Sequence, residues 1–404
     1  MKPGSMAAQG SSAAGGAIAH GWASPDFAPA AEAFAKVLAS GAELGAACCV
    51  YYQGEPVLDM WGGVARLPDQ APWTADTLIP VFSISKGVSA LCVLTLVDQG
   101  VIDLDEPLAR YWPEFAVHGK DVITVREALA HRAGVPALDG EVSFADLRDT
   151  VACSARLAAQ EPAFTPGSSH LYHALTIGWI TSELVRRVTG LSLGRFFRDR
   201  IAARLDLDIW FGLPAEQAGR VGSVEPPELS GFIRELCPPG SLPWRAITLN
   251  GLLPLELAGP GTGFNDPRVQ SVEMAGGNGI ATARSLARLY AATMAPLNGD
   301  RLLSSATIAD ACRPVSTGPM WGTEVEGPNW GAGIMLPSPM QPMLGDGSFG
   351  HDGAGGSLAF AHPASGISFA YVRNRMAAGG IIDPQVYAVI DALGSCIAQA
   401  GGKS

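Results

Sequence analysis

Lys86–Gln99 reads Lys-Gly-Val-Ser-Ala-Leu-Cys-Val-Leu-Thr-Leu-Val-Asp-Gln, a helix-length stretch in which no charge follows Lys86 until Asp98. A helix that is apolar around its whole circumference has no face to offer water, so it belongs inside a large core. Gly100 supplies the stop, because glycine takes the left-handed conformation that ends a helix. The chain must therefore enclose this helix on all sides, with a lysine at its head. It has the means: 404 residues, 48% hydrophobic and 16% charged, are ample for a large core and too apolar for general disorder.

The flanking sequence predicts what does the enclosing. Asp26 to Ser40 has helical apolar spacing, with Asp26 as the expected N-cap. Ala46–Tyr52 and Pro56–Trp61 flank the polar turn Gln53-Gly54-Glu55 and read as a β-hairpin. Thr124-Val125-Arg126-Glu127 is a capping box opening a short helix that stops before Gly134. Phe144–Gln160, Leu175–Thr189 and Leu193–Leu205 keep the helical period, and so does Thr282–Ala295. Residues 236–268 and 312–347 are rich in Pro and Gly and read as long loops. Strand-like runs return at Trp330–Leu336, Ser357–Ala361 and Ile367–Arg373, the last two joined through His362-Pro363-Ala364-Ser365-Gly366, and Pro384–Ala398 closes as a helix. The pattern predicts an α+β fold in which the two chain ends share one antiparallel sheet flanked by helices, with a mainly helical part inserted between them. The expected division is a flexible arm over 1–20, a discontinuous sheet domain over 21–80 and 275–404, and a helical domain over 81–274, the active site lying at their interface.

Charge and cysteine usage narrow the function classes. A net charge of -11 argues against nucleic acid, which is bound through clustered Lys and Arg. The seven cysteines follow no zinc or disulfide spacing, so reduced, buried thiols are expected. The Gly-, Ala- and Ser-rich beginning lacks an apolar core of the secretory type, and no run of 18 apolar residues predicts a membrane span, so a cytoplasmic location is expected. The sequence leaves the oligomeric state open.

The chemistry concentrates at Ser83-Ile84-Ser85-Lys86, at the start of the apolar helix. Residues three apart share a helix face, so the Ser83 hydroxyl and the Lys86 amine come within reach of each other. A serine becomes a nucleophile only when a base takes its proton, and burial lowers a lysine pKa toward that role. The helix N-terminus adds free backbone N–H groups suited to an oxyanion. Lysine is otherwise confined to Lys2, Lys36, Lys120 and Lys403, so one placed here, inside an apolar run, is unlike a solubilising surface residue.

Phe82-Ser83-Ile84-Ser85-Lys86-Gly87 resembles the first motif of class C β-lactamases and of the related penicillin-binding proteins and serine esterases, the family VIII carboxylesterases among them. Pro166-Gly167-Ser168-Ser169-His170-Leu171-Tyr172-His173-Ala174 resembles their second motif, and Phe349-Gly350-His351-Asp352-Gly353-Ala354-Gly355-Gly356-Ser357 their third, which lies on a strand of the sheet. Leu129–Gly134, Asn278–Arg284 and Tyr371–Arg375 add supporting matches in the family's order. The resemblance implies a β-lactamase/transpeptidase-like fold and a set of roles. Ser83 is acylated. Lys86 and Tyr172 share its proton, with the identity of the base open between them. The oxyanion hole is the backbone N–H of Ser83 and of Ala354. Gly353, Ala174 and His351 contact substrate. No cofactor or metal is implied.

Two departures shape the expected activity. Ala174 stands where the lactamases carry an amide-bearing Asn, and His351 where they carry a lysine, which disfavours a β-lactam and favours an ester. The expected function is a serine carboxylesterase acting on small or short-chain esters. The alternatives are a β-lactamase, D-peptidase or acyltransferase on the same fold, and a non-catalytic ligand-binding protein. No G-x-S-x-G elbow occurs, and His170 and His173 are not in an H-E-x-x-H pattern. His131 reads as a structural residue, and Trp244, Trp321 and Trp330 as candidate walls of an apolar pocket.

Overall fold

The computed structural model describes residues 6–7, 17–227, 234–235, 237–297, 299, 301–377 and 383–401. Strands β1 (Ala19–Ala23), β2 (Gly45–Tyr52), β3 (Glu55–Arg66), β4 (Asn329–Trp330), β5 (Met335–Leu336), β6 (Phe349–Gly353), β7 (Ser357–His362) and β8 (Ile367–Arg373) form one antiparallel sheet in the order β1-β3-β2-β8-β7-β6-β5-β4. The first hairpin turns through Gln53 and Gly54, both at positive φ, as a tight two-residue connection requires. β2 pairs with β8 over Ala46–Tyr52, which is how the two ends of the chain meet.

Both faces of the sheet are covered, and the side-chain period of two sorts residues between them. Cys48 and Val50 of β2 join a core with Phe34 and Leu38 of α1 (Ala28–Ala39) and with Val389 and Leu393 of the C-terminal helix. Cys49 and Tyr51 face the opposite core, with α2 (Ile84–Asp98), α3 (Ile177–Thr189) and α4 (Ala283–Met294). Pro384–Gly401 is α5. Burying an aliphatic or aromatic side chain of this kind stabilises by about 2 kcal/mol. β7 sorts by size: Leu358 and Phe360 point to the α1/α5 side, Ala359 and Ala361 to the other.

α2 sits where its composition requires. Every residue from Ile84 to Leu96 is buried, and the helix emerges only at Asp98. It packs tightly at Gly87, where a Cβ would come within 2.4 Å of Tyr290 Oη on α4 and 3.2 Å of His351 Cβ on β6. Gly87→Ala is therefore expected to overpack this junction and cost about 1–3 kcal/mol in urea unfolding; an unchanged midpoint would show that the helix has room to shift.

Several local expectations give way to identifiable competitors. Asp26 is not the N-cap: Pro25 forces Ser24 into an extended conformation, a 3₁₀ turn over Pro25–Phe27 starts there, and Asp26 falls inside it. Phe144–Gln160 splits into Phe144–Leu147 and Thr150–Ala159, because the Asp149 side chain accepts the Ala152 amide and opens a second helix. The 236–268 stretch is not all loop. Ser241 caps a helix over Leu242–Thr248, with Pro243 in the first turn, where proline is tolerated. Trp330–Leu336 is not one strand, since Gly333 at φ +79° turns the chain between β4 and β5. The expected arm over 1–20 lies largely outside the described residues, but Ala19 and His20 belong to β1, paired with Gly62 and Trp61. Among the described residues no helix is long and apolar enough to cross a membrane.

Candidate active site

The chain enters α2 through a kink. Phe82 adopts φ +49°, a left-handed conformation rare for a bulky residue, and its ring is buried edge-on to Phe264 at 5.0 Å. Ser85 holds the turn: its hydroxyl donates to the Phe82 carbonyl and accepts the Gly279 amide at 2.8 Å. Ser83 occupies the N-cap position with helical φ and ψ, and its side chain does not cap. The hydroxyl instead faces inward. Ser83 Oγ lies 2.9 Å from Lys86 Nζ and 2.8 Å from Tyr172 Oη.

Lys86 has a second partner, the Gly276 carbonyl at 2.6 Å. That carbonyl is placed by a close backbone approach. A Cβ on Gly276 would meet the Leu175 carbonyl at 2.3 Å, and one on Gly178 would meet the Gly276 amide at 2.1 Å. Asn278 braces the loop, accepting the Met274 amide and donating to the carbonyls of Val269 and Val272.

Burial governs the electrostatics. It pulls the Lys86 ammonium down to about 7, against the opposing charge of Asp352. It raises the Tyr172 phenol well above its ordinary value, and the Asp352 charge adds to that rise while the Ser83 hydrogen bond works against it. Near neutrality the lysine can therefore present a free amine, while the tyrosine keeps its proton.

Tyr172 is clamped by rings. Trp330 stacks on it at 5.6 Å with planes 21° apart, and His131 packs on it at 5.0 Å. His131 stands at φ +66° and its Nδ1 accepts the His173 amide at 3.1 Å. His173 Nε2 accepts the Val135 amide at 3.1 Å, and its Nδ1 lies 2.6 Å from the Leu171 carbonyl. Burial pushes His131 far down and His173 to about 4, so both are neutral braces of the 171–173 segment.

β6 supplies the opposite wall. His351, expected to contact substrate, is fully buried, with Nδ1 2.7 Å from the Asp352 carbonyl. The side chain that this strand turns into the pocket is Asp352, one residue on, as the strand period dictates. Gly353 presses its backbone on the Val81 carbonyl, which a Cβ would meet at 2.5 Å. This brings Ala354 to the pocket wall beside Ser83. Among the described residues no hydrogen bond is donated by the Ser83 or Ala354 amide.

The cavity in front of Ser83 measures about 620 Å³ and is mostly apolar, walled by Leu171, Ala246, Ile247, Trp330, Met335 and Val386. Ala174 lines it, as does the Leu242–Thr248 helix, within a stretch whose composition predicts loop. Of the three tryptophans considered, Trp330 reaches the pocket. Trp244 packs over Gly251 and Trp321 stacks on Phe164. Asp352, Asp383 and Tyr387 also line the cavity and were missed. Asp383 did leave a signal, an Asp-Pro pair at a helix start: its Oδ1 accepts the amides of Gln385 and Val386.

A family model described as Beta-lactamase matches residues 30–392. The chain belongs to the beta-lactamase family. It is a β-lactamase-like serine hydrolase with esterases among its relatives. It is 35% identical over 367 residues to the esterase/beta-lactamase LipL of Mycobacterium tuberculosis, covering 88% of this chain and 83% of LipL. The crystal structure of a family VIII carboxylesterase superposes with a TM-score of 0.84 at 33% identity, covering 94% of this chain and 99% of that one. A penicillin-binding protein homologue from Caulobacter crescentus superposes with a TM-score of 0.81 at 35% identity, with the same coverage.

Proposed function

We propose that the protein is a carboxylesterase that cleaves small or short-chain esters through an acyl-Ser83 intermediate. The observation that carries this reading is the placement of Ser83 Oγ between Lys86 Nζ and Tyr172 Oη, both within 2.9 Å, at the mouth of an apolar cavity. The neutral Lys86 amine takes the hydroxyl proton as Oγ attacks the ester carbonyl. The amides of Ser83 and Ala354 receive the oxyanion. Collapse breaks the bond to the alcohol, which takes a proton relayed through Tyr172. Water then attacks the acyl-enzyme, surrendering a proton to the same relay; the bond from Ser83 Oγ to the acyl carbon breaks, the relay returns the proton to Oγ, and the acid leaves. Ala174 offers no amide and the buried His351 no cation to hold a β-lactam, and both favour an ester. The relative named esterase/beta-lactamase and the family VIII carboxylesterase support the same bond class.

The acid limb of the pH profile follows from Lys86. A group with a lowered pKa is protonated, and useless as a base, below that value. Measured with an uncharged ester, kcat/KM is expected to rise about tenfold per pH unit up to roughly 7 and then level off. A flat profile from pH 5 to 8 would remove Lys86 from the base role.

Intact-mass measurement after exposure to a fluorophosphonate tests the nucleophile. One adduct is expected on wild type and none on Ser83→Ala; an unmodified wild type rejects the proposal. A chromogenic cephalosporin assayed beside a short-chain nitrophenyl ester tests the substrate, and faster turnover of the cephalosporin reverses the assignment.

A further inference from the structure

The cavity carries a charge pattern that ester cleavage as such does not need. Two carboxylates line it, Asp352 and Asp383, and among the described lining residues there is no lysine or arginine. Their partners differ. Asp383 is ion-paired with Arg373 and caps α5 with its other oxygen. Among the described residues, the group within ion-pair range of the Asp352 carboxylate is the His351 imidazole, Nδ1 3.4 Å from Oδ1. Burial holds that imidazole below its usual pKa and so favours its neutral form. Among the described residues, Asp352 thus has no lysine or arginine within ion-pair range, and its side chain is 40% exposed in the same cavity as Ser83 and Tyr172. It lines the same wall as Ser83, Tyr172 and Tyr387, and its charge acts on the Lys86 and Tyr172 protons. Three aromatic residues, Tyr172, Trp330 and Tyr387, line the same cavity.

We propose that Asp352 is a specificity-determining residue that makes this cavity select esters bearing an ammonium group and reject esters bearing a carboxylate. The inference rests on the esterase reading and names its substrate class. A carboxylate beside aromatic rings in an apolar cavity is the combination that holds an alkylammonium: the charge attracts it, the ring faces add cation–π stabilisation, and a bulky ammonium carries little water to lose. An anionic ester meets the Asp352 charge with no lysine or arginine among the described lining residues to offset it. The net charge of -11 acts in the same direction at longer range. Uncharged esters remain substrates, because the rest of the wall is apolar.

The test compares matched esters with the full-length protein at pH 8. One series holds the butyrate esters of choline, of its uncharged isostere with tert-butyl in place of trimethylammonium, and of the carboxylate counterpart. A second series places the same three groups at the end of the acyl chain of a nitrophenyl ester. In at least one series, kcat/KM for the cation is expected to exceed that of the isostere about tenfold or more. The anion should fall below the isostere by a similar factor. Both ratios should shrink as salt is raised, because the site opens to solvent. Asp352→Asn should bring them toward one, and Asp352→Glu should keep the order cation, neutral, anion. Ratios near one in wild type overturn the inference without any variant; ratios that persist in Asp352→Asn assign the selection elsewhere. Normal turnover of the uncharged esters with no charge preference leaves the esterase reading standing and this inference refuted. No turnover of any ester rejects both.

Discussion

Lys86→Met lowers kcat/KM for an uncharged short-chain ester by about three to four orders of magnitude, and Ser83→Ala by at least as much. The expected size comes from what each change removes. Without the hydroxyl there is no acyl-enzyme, and what remains is the binding cavity and its oxyanion donors. Without the amine the hydroxyl keeps its proton, because the other group in reach, the Tyr172 phenol at 2.8 Å, is held protonated by its burial. The two changes act on one step, so the double variant should be scarcely worse than either single. Methionine fills the volume of the lysine stem in the packed interior of α2, which keeps the comparison one of chemistry. A Lys86→Met enzyme within tenfold of wild type would dismiss the base role, and multiplicative losses in the double variant would show that serine and lysine act separately.

The largest expected stability effect lies behind the site. Arg373, only 4% exposed, reaches Glu43 at 3.0 Å on one side and Asp383 on the other, while Tyr371 Oη donates to Glu43 at 2.9 Å. Arg373→Met leaves the Glu43 carboxylate buried without its cation and is expected to cost about 3–5 kcal/mol. The pH dependence has a definite sign. Burial raises Glu43 from its ordinary value to about 7 even with Arg373 present. A carboxyl with a raised folded-state pKa favours folding below its unfolded pKa and loses that contribution as pH climbs through 7. Without Arg373 the folded-state pKa climbs further, so the variant should lose more stability at pH 8 than at pH 5. Urea unfolding at both pH values reads this directly. Adding Glu43→Gln to Arg373→Met should recover part of the loss at pH 8, and no recovery would show that the cost lies in packing.

Ser83 and Lys86 were named from their spacing and Tyr172 from the resemblance of its motif, and the amine and the phenol each lie within 2.9 Å of Ser83 Oγ. Their signals are strong because they are local: two residues one helix turn apart, and a tyrosine shortly after a Pro-Gly turn. The hairpin β2–β3, the capping box at Thr124 and strands β7 and β8 were equally readable, since each depends on near neighbours in the chain. The Leu242–Thr248 helix was hidden by its proline, which reads as a breaker until the cap at Ser241 is seen. His351 was assigned to the pocket from its place in a motif, yet a one-residue step along a strand reverses the face, and Asp352 took that position. The bonds from Ser85 to Gly279 and from Lys86 to Gly276, which brace the kink and hold the lysine, gave no signal, because their partners lie 194 and 190 residues away in sequence.

Composition and spacing alone required a buried helix with an amine at its head and a hydroxyl one turn before it. They could do so because helix period and burial are properties of neighbouring residues. Everything set by the approach of distant segments was decided by packing: the descent of Lys86 toward neutrality, the protonated Tyr172, the buried His351 and the exposed charge of Asp352. Those properties depend on how much water is excluded and on which charge faces which, and both are settled only when the sheet and the helices close on each other.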